Sequence, residues 1–261
     1  RAAEGGEWVL VNNEFETGRV EVPLGFAPDN RTAYLFSHMP QGPGAIMAYD
    51  TVTGERKPLL RHEVVDPARY IYRAGDDSEL VGAAYLGDKP ETRFIDENSQ
   101  EARLYKMLQS AFAGQDVAVT STTRDGSLAL VRASSPTNPG DFYLFDTGTK
   151  KANYLLSRRD WFDPDKMATV RPVSLTARDG LKLHGYLTVP HGAEASKLPM
   201  VVSVHGGPFG EFDTLAFDPE SQMLAQAGYA VLQVNFRGSG NYGRRFQQAG
   251  AQEWGRAMQD D

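Results

Sequence analysis

The sequence predicts a multidomain chain: repeated β-meanders of the propeller-blade type, then a smaller unit mixing strands and helices in one sheet. Three observations carry this reading. β-rich runs with aspartate turns recur at a fixed spacing in residues 1–157. Beyond residue 173 the order becomes strand, loop, helix, strand, helix, which marks an α/β sheet unit. Within that unit Leu198-Pro199-Met200-Val201-Val202-Ser203-Val204 reads as a buried strand that opens directly into His205-Gly206-Gly207-Pro208.

The repeats come first along the chain. Phe26-Ala27-Pro28-Asp29-Asn30-Arg31-Thr32-Ala33-Tyr34-Leu35-Phe36 resembles residues 122–131, each pairing a polar turn built on aspartate with an apolar strand. Met47-Ala48-Tyr49-Asp50-Thr51-Val52-Thr53-Gly54 resembles Tyr143-Leu144-Phe145-Asp146-Thr147-Gly148-Thr149-Lys150. Asp29 to Asp125 and Asp50 to Asp146 are both separations of 96 residues. Phe94-Ile95-Asp96-Glu97-Asn98 falls 46 residues after Asp50 and 50 before Asp146, so a third copy fits between. A period of about 48 residues with several strands per repeat is the signature of propeller blades, and about three blades are expected over 1–157. Three blades do not close a ring, which suggests further blades before Arg1. A plain β-sandwich with chance similarity is the alternative.

One stretch breaks the pattern. In 101–112, Leu104, Met107, Leu108 and Phe112 recur at helical spacing, predicting a short helix between blades whose apolar stripe packs in the core. A polar, Pro-bearing linker is expected over 158–172, and the α/β unit over 173–261. There, 173–190 reads as a hairpin turning at Asp179-Gly180. Residues 217–228 read as a helix with Glu220, Met223, Leu224 and Ala227 on one stripe and Gly228 as its stop. The next strand is 229–236, and 244–259 reads as a further amphipathic helix.

Composition narrows the function. The chain has 261 residues, 41% of them hydrophobic and 23% charged, close to globular averages. No run approaches the ~18 apolar residues of a membrane helix, and the first six residues have no signal-peptide core. Cysteine is absent, which removes disulfides, thiolate nucleophiles and Cys-based metal sites. The net charge is −7, with 16 Lys+Arg against 22 Asp+Glu in 1–157 and 11 against 12 in 158–261. Neither half has the basic stripe that nucleic acid requires. His38, His62, His184 and His191 stand in no metal or triad spacing, so no metal and no cofactor are expected. The adjacent Asp260 and Asp261 read as a solvated helix end.

A Gly-rich loop after a buried strand suits oxyanion chemistry. Glycines remove side chains so that backbone N–H groups can approach a developing negative charge. In α/β-hydrolases this position supplies one such donor, and a Gly-x-Ser-x-Gly elbow supplies the nucleophile. No serine of the chain has glycine at both i−2 and i+2; Ser239, in Arg237-Gly238-Ser239-Gly240-Asn241, comes nearest. Asn235-Phe236-Arg237-Gly238-Ser239-Gly240-Asn241-Tyr242-Gly243 reads as a tight loop beneath the site. It matches neither phosphate-binding glycine pattern.

Taken in order, the Ala177-Arg178-Asp179-Gly180 turn, the 205–208 loop, the 235–243 segment and Trp254-Gly255-Arg256-Ala257-Met258-Gln259-Asp260-Asp261 resemble the prolyl oligopeptidase family of serine peptidases, on its acylaminoacyl-peptidase and dipeptidyl-peptidase-like branch. The resemblance is strong over 173–261 and architectural over 1–157. It implies a partial β-propeller followed by the N-terminal part of an α/β-hydrolase domain, and a short peptide as substrate. It places the Gly207 N–H in the oxyanion hole, shaped by His205 and Gly206, with Arg237, Gly238, Ser239, Gly240 and Tyr242 as the supporting loop. It also implies that the triad serine, aspartate and histidine lie beyond Asp261, leaving this chain inactive alone. The competing readings are a carboxylesterase or lipase-type hydrolase and a non-catalytic propeller that binds partners. Neither nucleic acid nor membrane is expected as a partner; compartment and homo-oligomerisation stay open.

Overall fold

The aspartates that repeat in the sequence close equivalent turns of equivalent sheets. The computed structural model describes residues 7–261, with the backbone alone at 76–78. After a four-residue helix α1 (Glu14–Thr17), strands β1 (Glu21–Phe26), β2 (Thr32–Ser37), β3 (Ala45–Asp50) and β4 (Arg56–Arg61) form an antiparallel meander in chain order. β5 (Pro67–Arg73), β6 (Asp76–Leu86) and β7 (Pro90–Phe94) form a second, and β8 (Asp116–Thr122), β9 (Leu128–Ser135), β10 (Asn138–Asp146) and β11 (Lys151–Ser157) a third.

Asp29 accepts the N–H groups of Arg31 and Thr32 between β1 and β2, and Asp125 accepts that of Ser127 between β8 and β9. Asp50 accepts from Val52 and Thr53 after β3, as Asp146 does from Gly148 and Thr149 after β10. The hydroxyls of Thr51 and Thr147 then donate to the carbonyls of Arg31 and Ser127. Aspartate suits these turns because its short carboxylate reaches N–H groups two residues on. Hydrogen bonds at these turns also hold its proton off: the Thr32 N–H lowers Asp29, the Arg31 guanidinium lowers Asp50, the Thr123 hydroxyl lowers Asp125 to about 2, and the Thr149 N–H lowers Asp146.

Asp96 makes the same turn, accepting from Asn98 N–H at 2.8 Å, but a helix follows where the outer sheets have a fourth strand. This is α2 (Gln100–Ala111), capped by the Ser99 hydroxyl. Its Ala102 and Tyr105 pack on Ile71, Val81 and Phe94 of the second sheet. Leu104, Met107, Leu108 and Phe112 pack on Val117, Ala129, Val131 and Phe145 of the third. The expected stripe therefore packs on the third sheet, with Leu108 buried and the others partly so, and α2 as a whole joins the two sheets.

A fourth sheet follows a 3₁₀ turn at Pro164–Lys166. β12 (Thr169–Thr176) starts within the stretch read as linker and pairs with β13 (Lys182–Val189) around the expected Asp179-Gly180 turn. β14 (Met200–Ser203) and β15 (Ala230–Asn235) complete the order β12-β13-β15-β14. β14 and β15 are parallel, which requires a crossover, here through α3 (Pro219–Gln226). Met200, Val202 and Val204 are exposed along one face of the β14 edge. Among the described residues no helix is long and apolar enough to cross a membrane.

Two helical expectations need correction. The buried face of α3 is Ser221, Gln222 and Ala225, while Met223 of the expected stripe is 63% exposed. Polar Gln222 is buried because every part of its amide is bonded: Oε1 accepts from Ala168 N–H, and Nε2 donates to Pro136 O and Ala168 O. It thereby ties the β9–β10 turn and the start of β12 to α3. Gln222→Leu leaves those three backbone groups without partners and should lose about 2 kcal/mol in urea denaturation; a loss under about 0.5 kcal/mol would contradict this role.

The second correction concerns 244–259, which is two short helices, α4 (Arg244–Gln248) and α5 (Ala257–Asp260). The helix breaks at Gly250, where a Cβ would meet Met258 Cε at 2.4 Å and Gly238 Cα at 2.8 Å, and the chain reverses through Gln252 and Gly255 at positive φ.

Candidate active-site loop

The glycine loop leaves the C-terminal end of β14 and lies on the segment that leaves the end of neighbouring β15. Parallel strands bring their following loops to one end of a sheet, and hydrogen bonds then join them. Gly210 N–H donates to Gly238 O at 3.1 Å, and Gly240 N–H to Glu211 O at 3.0 Å. A Cβ at Gly240 would lie 2.3 Å from Gly210 O, so the approach requires glycine.

His205 orients the start of the loop. Its ring stacks on Phe236 at 4.5 Å between centroids. Its Nδ1 lies 2.8 Å from Gly206 O and its Nε2 2.9 Å from Ser239 Oγ. A carbonyl can only accept, so Nδ1 carries a hydrogen and donates to Gly206 O, leaving Nε2 to pair with the Ser239 hydroxyl. Ser239 is fully buried. The His–Ser contact clamps the start of the loop onto the 235–243 segment.

Gly206 and Gly207 follow His205 in the loop. Neither backbone N–H has a hydrogen-bond partner among the described residues, and both residues are exposed. Gly207 has φ +123°, and a Cβ there would meet Phe209 N and Glu211 Cγ at 3.1 Å, whereas one at Gly206 meets nothing within 4 Å. Gly207→Ala should therefore lose about 1–3 kcal/mol of stability while Gly206→Ala stays within about 0.5 kcal/mol of the parent. Equal urea midpoints for the two variants would contradict this loop geometry. Val202, Val204, Phe236, Trp254 and Met258 make an apolar pocket beside the loop.

The supporting segment is held from below. Asn235 Nδ2 donates to Tyr242 Oη at 2.9 Å and to Asp213 O at 3.0 Å, and its Oδ1 accepts from Asp213 N–H. Tyr242 lies flat on His184 at 4.6 Å, and burial pushes its hydroxyl up to about 12. Burial also raises the Asp213 carboxyl and lowers His184. Arg237 is nearly buried between two carboxylates, donating to Asp179 through both Nη atoms and to Asp261 through Nε and Nη2. The Asp261 side chain is fully buried, which overturns its reading as solvated; the Arg237 backbone N–H and guanidinium have drawn it in.

The structure thus gathers His205, Gly206, Gly207 and Arg237 to Tyr242 at one end of the fourth sheet. Asp213, Asn235 and Asp261 are partners that the sequence reading missed. The other histidines are elsewhere: His62 Nδ1 accepts from Val64 and Val65 N–H, His38 sits edge-on to Phe36, and His191 is exposed in a loop. Among the described residues no group of three or more His, Asp or Glu side chains could hold a metal.

The sequence profile of the prolyl oligopeptidase family matches residues 215–261. The chain is 31% identical over its whole length to dipeptidyl aminopeptidase BIII of Pseudoxanthomonas mexicana, and 27% identical to dipeptidyl peptidase family member 6 of Caenorhabditis elegans. It spans 38% of the length of each of these relatives. A puromycin-hydrolyzing peptidase of Mycobacterium tuberculosis superposes with a TM-score of 0.64 at 21% identity, covering 93% of this chain and 37% of that one. The resemblance to the prolyl oligopeptidase family holds: the curated relatives are peptidases, and the structural likeness covers nearly all of this chain's fold.

Proposed function

We propose that these 261 residues are part of a serine peptidase that hydrolyses short peptides through an acyl-enzyme. Residues 1–157 are its partial propeller, 158–168 its linker, and 169–261, from the start of β12, the N-terminal part of its α/β-hydrolase domain. The observation that carries the proposal is the unpartnered N–H of exposed Gly207, in the loop that follows the parallel strand β14. In this reading it donates to the oxyanion of the tetrahedral intermediate, a donor worth ~3–4 kcal/mol in the transition state. The second donor is the N–H after the nucleophile, which comes from outside these residues because no serine here stands in a Gly-x-Ser-x-Gly elbow. His205 shapes the loop, and Arg237 with Gly238, Ser239, Gly240 and Tyr242 supports it. The 261 residues alone are inactive.

The test begins with the coding sequence past the Asp261 codon. The encoded polypeptide is then assayed on dipeptidyl and acylaminoacyl p-nitroanilides beside p-nitrophenyl esters, with a fluorophosphonate probe to label the nucleophile. Anilide hydrolysis with a labelled Gly-x-Ser-x-Gly serine supports the reading. Turnover of esters alone assigns a carboxylesterase, and neither activity nor label assigns a binding module.

A further inference from the structure

The cleft where the second and third sheets meet the loop beyond the glycine run holds more positive charge than its walls neutralise. Arg69, Arg132 and Arg158 line it, with Asp116 as the one carboxylate on its wall among the described residues. Asp116 accepts from Arg69 through both Nη atoms, at 3.2 and 3.0 Å, and from Arg132 Nη2 at 3.3 Å. Arg69 Nη2 also reaches Val117 O at 3.3 Å. One carboxylate has about four acceptor sites, so it cannot serve three guanidiniums with five donors each. The surplus is visible: the Nε atoms of Arg69 and Arg132 are buried without a hydrogen-bond partner, and the Arg158 side chain has no partner among the described residues. Arg69 and Arg132 are partly desolvated and short of acceptors, Arg158 is exposed beside them, and such an excess of guanidinium groups attracts an anion whose carboxylate fits their planar forks.

The opposite wall is Thr214–Phe217, which starts seven residues after Gly207. Seven extended residues span at most about 25 Å. Thr214 therefore lies within about 25 Å of Gly207, a gap that an extended peptide of up to about seven residues spans. A cationic wall also disfavours the ammonium end of that peptide.

Resting on the peptidase reading, we propose that this cleft is a carboxylate subsite, so that the substrates are short peptides bearing a free carboxylate. The carboxylate enters between Arg132 and Arg158, with the hydroxyls of Ser134 and Ser135 on the same wall.

Three probes test this with the 261-residue chain by calorimetric titration. They are N-acetyl-trialanine with a free C-terminus, its C-terminal amide, and the same amide with aspartate in the middle position. A charge-assisted pair predicts that a carboxylate-bearing probe binds at least about tenfold tighter than the plain amide, with affinity falling as salt rises. Preference for the free acid assigns the C-terminal carboxylate, and preference for the aspartyl amide assigns a side chain. Arg158→Gln, which breaks no side-chain hydrogen bond or ion pair among the described residues, should erase the preference. Equal affinity for all three probes, no binding of any, or an unchanged preference in Arg158→Gln overturns the subsite. Each of those results leaves the peptidase reading to be judged by its own hydrolysis and labelling test.

Discussion

Replacing Arg237 with leucine is expected to remove about 3–5 kcal/mol of stability, the range for breaking one side of a buried ion pair. Asp261 has no side-chain exposure, and Arg237 is 9% exposed at the contact. Leucine would leave the Asp261 carboxylate buried without a counter-charge and remove two of its three donors, Arg237 Nε and Nη2. Arg237→Lys keeps the charge but not the planar fork, so it should recover only part of the loss. Asp179→Asn should cost far less, because Asp179 is 55% exposed and its half of the contact is screened by water. Arg237 also holds the Asp179 carboxyl down to about 2. Stability from that pairing is complete above the ordinary aspartate value of about 3.9 and is lost as pH falls from there through 2. Urea midpoints for the three variants between pH 7 and pH 2 test the argument. A loss below about 1 kcal/mol for Arg237→Leu at neutral pH would refute it, as would a parent curve flat down to pH 2.

The sequence showed what local chemistry dictates and missed what distant partners dictate. The aspartate turns at 29, 50, 96, 125 and 146 were legible because a carboxylate caps N–H groups two or three residues away, whatever the rest of the fold does. The α2 stripe was legible for the same reason, since helical spacing alone puts Leu104, Met107 and Leu108 on one side. The glycine loop was legible from the strand before it. Asp261 was not, because its partner is 24 residues away on another element, and nothing next to an aspartate reveals a distant arginine. Gln222 failed in the opposite direction: periodicity assigns the inner face by hydrophobicity, but three backbone groups left over at Pro136 and Ala168 selected an amide instead. The Arg69–Asp116–Arg132 cluster likewise joins β5, β8 and β9 across 63 residues of sequence.

Gly243→Ala carries the other large expectation, a loss on the order of 3 kcal/mol, because it strikes the seam between the first three sheets and the fourth. A Cβ at Gly243 would lie 2.1 Å from Gly42 O and 2.6 Å from Gly42 C, backbone atoms that cannot rotate away. Residue 243 also has φ +85°, a conformation that costs alanine about 1 kcal/mol by itself. Overpacking adds about 1–3 kcal/mol. The seam has little slack to absorb it. Asp66 accepts from Gly44 N–H on one side and Gly243 N–H on the other, at 2.6 and 3.1 Å, while its own N–H donates to Asn241 O. Asn241 Nδ2 donates to Leu86 O, and Tyr34, Ile46, Leu80 and Tyr85 share one core with Leu183, Val234, Tyr242 and Phe246. Gly126→Ala supplies the control, since Gly126 has φ +68° but nothing within 4 Å of its Cβ position. The difference between the two variants isolates the contact from the conformational cost. If the seam is what the clash opens, Gly243→Ala should also split urea unfolding into two transitions, which Gly126→Ala does not. Equal losses in the two variants, with one transition in each, would mean that the seam yields and that the fourth sheet is not locked to the other three through residue 243.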